Sequence, residues 1–85
     1  MKTATLGGKR HDLTLDARLD GFRVGGNTRP EIAVNADLPP KAFLETLIHE
    51  CLHACNPDMH EDRVHGTARD IGRVLWRAGY RRKRG

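Results

Sequence analysis

The chain has 85 residues, of which 31% are charged and 38% hydrophobic, with a net charge of +4. Such a length leaves no room for a second core, and such a composition belongs to a soluble globular protein rather than a disordered one. No apolar run approaches the ~18 residues of a membrane helix, and no signal-peptide pattern opens the sequence, so a cytoplasmic chain without a membrane partner is expected. Two cysteines are too few for a disulfide framework.

Residues 1–38 read as strand and turn. Leu13, Leu15, Ala17 and Leu19 alternate with polar residues, the period of a half-buried strand. Phe22-Arg23-Val24 offers a short strand, and Gly25 to Pro30 is turn material. Ile32 and Val34 then share one face of Glu31–Asn35, and Thr3–Leu6 adds a further candidate strand. These pieces predict a small antiparallel sheet of two or three strands.

Pro39-Pro40 ends the β region, and proline suits a helix's first turn, so a helix is predicted over 40–55. Its apolar arc comprises Leu44, Leu47, Ile48, Cys51, Leu52 and Cys55. Both cysteines read as small buried hydrophobes. Asp58 is a predicted N-cap, with Glu61 completing a capping-box-like pattern, so a second helix is expected over 58–80. Its apolar face is Val64, Ala68, Ile71, Val74, Leu75 and Ala78, and Gly79 marks its end. The predicted fold is thus α+β, one domain over 1–85: a small sheet, two packed helices, and a basic tail over 81–85.

The chemistry concentrates in His49-Glu50-Cys51-Leu52-His53, an H-E-x-x-H pattern. Residues four apart on a helix share a face, so His49 and His53 can grip one Zn²⁺, with Glu50 beside its open position. The histidine stripe lies outside the apolar arc, and the cysteines point away from it. A catalytic zinc takes three protein ligands. His60, Glu61, Asp62, His65 and Asp70 are the candidates for the third; Glu61 is best placed on the second helix, with His65 as the alternative or as a supporting partner.

Leu47 to Ala54 resembles the active-site helix of zincin metallopeptidases. The layout from the Ile32–Asn35 strand to the second helix is similar to gluzincins, and to SprT-like, ImmA/IrrE-like and small phage-encoded H-E-x-x-H proteins. The resemblance implies a peptide or protein substrate lying along residues 31–35. It places the third ligand at Glu61 on the gluzincin pattern, or at His65 on the SprT-like one. His49, His53 and Glu61 would then hold one zinc ion and its water, with Glu50 as general base. An arginine, His60 or Tyr80 is a candidate oxyanion donor. The metzincin glycine is absent, and His60 stands one place beyond that pattern's histidine. His65 occupies the place where some gluzincins carry a second acid.

A competing class is a basic nucleic-acid-binding module with a structural or vestigial zinc. Arg73, Arg77, Arg81, Arg82, Lys83 and Arg84 concentrate the positive charge, so nucleic acid or another acidic surface is the partner this tail suggests. The four aromatics Phe22, Phe43, Trp76 and Tyr80 make a sparse stacking platform. So small a core also leaves room for a homo-oligomer.

Overall fold

A computed structural model describes residues 2–17 and 30–82. Three strands come first: β1 (Lys2–Leu6), β2 (Lys9–Ala17) and β3 (Glu31–Asn35). Two helices follow, α1 (Pro40–Cys55) and α2 (Glu61–Arg77). The α+β class and the order of a sheet followed by two packed helices are as expected. The expected Phe22–Val24 strand, the Gly25–Arg29 turn and Leu19 lie outside the described residues.

Gly7 and Gly8 join β1 to β2 with φ of +58° and +76°. Two successive positive φ values are what a two-residue hairpin turn requires, and glycine reaches them without a Cβ penalty. The hairpin is antiparallel, with Ala4 opposite His11. The sheet as a whole is mixed rather than purely antiparallel, because β2 and β3 pair in parallel, Leu13 opposite Ile32. Alternation assigns faces to a strand and is silent on its direction, so the sequence pattern could not distinguish the two pairings. Thr14 Oγ1 donates to Glu31 Oε2 at 2.7 Å across this junction.

Ile32, Val34 and Phe43 form the core, with Leu6, Leu13, Leu15, Leu38, Leu47 and Ala54 packed around them. Phe43, Leu47 and Ala54 are the sheet-facing side of α1. The facing pairs Glu45–Gly72, His49–His65 and His53–Glu61 run in opposite numerical order, so α2 lies antiparallel on α1. Among the described elements α2 packs on α1 and not on the sheet. The molecule is therefore layered as sheet, α1, α2, with the H-E-x-x-H helix in the middle.

That layering corrects several expectations. Helix α1 must serve two neighbours, so its deepest residue is Phe43, while Leu44, Ile48, Cys51 and Leu52 are half-buried. Cys55, at the last helical position, is exposed rather than core, and Cys51 is half-buried; both are free thiols. Among the described elements helix α2 has α1 as its one neighbour, so Val64, Ala68 and Gly72 are buried while Ile71 and Val74 are 40% and 66% exposed. Helix α2 also begins later than expected. His60, not Asp58, is its N-cap, and His60 Nδ1 accepts from the Asp62 backbone N–H at 3.2 Å. The helix closes at Gly79, with φ +92° and the Tyr80 N–H donating to Leu75 O, the glycine-terminated ending the sequence suggested.

Candidate metal centre

His49 and His53 sit one turn apart on α1, with ring centroids 4.8 Å apart. After them the chain makes a short turn, in which the Asn56 N–H caps Leu52 O at 2.8 Å. It then re-enters a helix at Glu61, the first residue of α2. That register delivers a carboxylate to the histidines. His49 Nε2 lies 2.9 Å from Glu61 Oε1, His53 Nε2 lies 2.9 Å from Glu61 Oε2, and the two Nε2 atoms are 3.1 Å apart.

The helix ends favour this arrangement electrostatically. His53 stands in the last turn of α1, where the helix dipole is negative and a cation is welcome. Glu61 and Asp62 stand in the first turn of α2, where the dipole is positive and stabilises carboxylates.

The three side chains place their ligand atoms within 4.8 Å of one another, close enough to hold one metal ion. The donor set of two imidazoles and a carboxylate is one that zinc accepts. Around a tetrahedral zinc with bonds of ~2.0–2.2 Å, neighbouring ligand atoms stand roughly 3.3 Å apart. The contacts here are slightly tighter than that, so a small outward adjustment would seat the ion. The convergence also has a chemical logic. With each imidazole as its Nε2–H tautomer, both can donate to Glu61, but the two Nε2–H groups are then left 3.1 Å apart with no acceptor between them; a single cation satisfies all three groups at once.

The other third-ligand candidates fall elsewhere. His65 is exposed on α2, its ring centroid 6.1 Å from that of His49, outside the cluster. Asp62 is 95% exposed and turned toward His60. Asp70 faces Arg73 at 3.9 Å. His60 is committed to capping. Tyr80 is 64% exposed and lines a separate cavity with Trp76, so it is no neighbour of the metal ligands.

Beside the cluster opens a cleft of about 390 Å³, walled on one side by Thr46, His49 and Glu50 of α1 and on the other by His65 and Arg69 of α2. Arg69 was not singled out by sequence reasoning. The signal was present: Glu61, His65 and Arg69 recur every four residues and therefore line one stripe of α2.

Next to the ligands, Cys51 has its thiol pKa pushed up, first by burial and then by the neighbouring Cys55 and Glu50. A protonated thiol is a poor metal ligand, in keeping with its position away from the histidine stripe.

The chain matches no protein-family model, no curated protein and no solved structure. No described helix is long and apolar enough to cross a membrane.

Proposed function

We propose that the protein is a zinc-dependent hydrolase of the metallopeptidase class. The observation that carries this reading is the shared position of Glu50 and His49 on the cleft wall, beside the His49–His53–Glu61 cluster. A structural metal site is normally closed by four protein ligands, whereas three protein ligands, one of them on a cleft wall, leave a position for water or substrate.

A zinc ion bound there supplies Lewis acidity, which polarises a substrate carbonyl and acidifies water. His49 and His53 present Nε2 and Glu61 its carboxylate as ligands. Glu50 takes a proton from the attacking water and delivers it to the departing amine nitrogen, so the peptide bond breaks with the proton balance closed. The cleft between α1 and α2, with His65 and Arg69 on the wall facing Glu50, offers a peptide a path beside the metal ligands, in place of the 31–35 strand that the resemblance implied. The alternative of a nucleic-acid-binding module draws less support, since Arg81 and Arg82 are gathered at the rim of one small cavity rather than spread over an open basic face.

Metal content and cleavage of an unstructured protein substrate, measured on wild type, Glu50→Gln and Glu61→Ala, test the reading. One zinc per chain is expected in wild type and Glu50→Gln, with cleavage in Glu50→Gln reduced by ~10²–10⁴-fold, the usual weight of a general base. Glu61→Ala should lose metal and activity together. Zinc-free wild type, or a Glu50→Gln variant that still cleaves at the wild-type rate, would sink it.

A further inference from the structure

At the opposite end of the helix pair from the metal ligands lies a second, smaller cavity of about 220 Å³. Leu15 of β2, Phe43, Leu44 and Leu47 of α1, and Trp76 of α2 give it an apolar lining. Its rim is cationic. The Arg81 guanidinium lies 3.4 Å over the Trp76 ring, and that of Arg82 lies 4.3 Å over Phe43.

Both arginines are fixed in place by backbone acceptors. Arg81 Nη1 donates to Trp76 O and to Tyr80 O, each at 2.9 Å, and Arg82 Nη2 donates to Leu15 O at 3.1 Å. A guanidinium carries five N–H donors in a rigid fork. Each of these therefore keeps donors to spare, and neither is paired with a carboxylate among the described residues. No acidic residue among the described ones lines the cavity.

An apolar pocket edged by two oriented cations selects a ligand with two ends. We propose that this cavity binds a small amphiphilic carboxylate, a free acid whose short apolar chain fills the pocket and whose carboxylate sits across Arg81 and Arg82. Charge complementarity fixes the sign of the head group, because a guanidinium fork matches a carboxylate and repels an ammonium. Volume sets the length scale. At ~30 Å³ for each water, the cavity has the room of about seven waters, which a chain of roughly seven carbons fills. The apolar lining supplies affinity and the arginines supply discrimination, the division of labour usual in small-molecule pockets. The inference stands independently of the metal reading, since the two sites share no lining residue.

The chain has a single tryptophan, and its ring lines this cavity, so its fluorescence reports occupancy directly. Titration with octanoate, octanamide and octylamine is the test, run on wild type and on Arg81→Gln, Arg82→Gln and Arg82→Lys, with circular dichroism verifying that each variant is folded. Octanoate is expected to give a saturable change with a sub-millimolar midpoint. Octanamide should bind at least tenfold more weakly and octylamine not measurably. Each glutamine variant should weaken octanoate at least tenfold, with Arg82→Lys between the two. Equal binding of octanoate and octylamine, an unchanged midpoint in folded glutamine variants, or no saturable change up to millimolar octanoate would overturn it. So would a change driven by protein concentration alone, which would assign the cavity to a second copy of the chain. Binding of a peptide with an apolar C-terminal residue, but not of octanoate, would likewise overturn the free-acid assignment.

Discussion

Glu61 is the residue on which the metal centre turns, because it alone bridges the two helices at the ligand cluster, each oxygen 2.9 Å from one histidine. Replacing it by glutamine keeps its size and removes its charge. Zinc affinity should fall by more than the ~10–100-fold typical of losing an outer hydrogen-bond partner of a ligand, as read by competition with a chromophoric chelator. His65→Ala should leave zinc affinity close to wild type in the same assay, since its ring stands clear of the ligand atoms. The two thiols offer an independent check on burial. The thiolate is the reactive form, and the Cys51 pKa is raised, so at pH 8 less of Cys51 than of an ordinary thiol is ionised. Cys55 is also the more exposed. Maleimide followed by peptide mapping should therefore modify Cys55 first, and raising the pH should narrow the gap as Cys51 ionises.

Between the helices, Gly72 sets the approach. A Cβ there would stand 2.7 Å from Glu45 Cγ, closer than real side chains tolerate. Gly72→Leu should wedge α2 from α1, destabilising the protein by the ~1–3 kcal/mol of an overpacked contact; the same displacement should carry Glu61 off the histidines and lower zinc affinity. Urea unfolding and metal competition on one sample read both effects. Gly72→Ala should cost less, because the Glu45 side chain can swing aside and alanine favours the helix by ~1 kcal/mol. Much at this scale was legible in the sequence. The span of α1 followed from Pro40 and its periodicity, the Ile32–Val34 face from alternation, and the ligand stripe from a four-residue spacing. What escaped was whatever depends on neighbours. Phe43 stood outside the apolar arc because a middle-layer helix buries two faces, and an arc locates only one. Asp58 has the chemistry of a cap, yet the chain turns two residues later and His60 takes the role. The parallel pairing of β2 with β3 is a fact of topology that no local pattern encodes.

The molecule as a whole stands on a narrow base. Among the described residues the buried apolar side chains are Ile32, Val34, Phe43, Val64 and Ala68, and domains of this size are marginally stable without a metal, cross-link or partner. A ligand at a hundredfold excess over its dissociation constant contributes ~2.7 kcal/mol. In a domain this small, that corresponds to a Tm shift on the order of 10–20 °C. Calorimetry with saturating zinc against a chelated sample should show a rise of this size in wild type and little in Glu61→Gln. An equal rise in both would show that the ion acts elsewhere.

The closeness of the three ligands along the chain has a kinetic consequence. His49 and His53 belong to one helical turn, and Glu61 follows after a single short turn. Closing so short a loop takes well under a microsecond and carries a small entropic cost. The strands, by contrast, must wait for the slower, non-local alignment of β2 with β3. The ligand cluster can therefore assemble from the α1–α2 hairpin before the sheet is complete, so that a metal ion captured early would act as a template on which the remainder of the chain condenses.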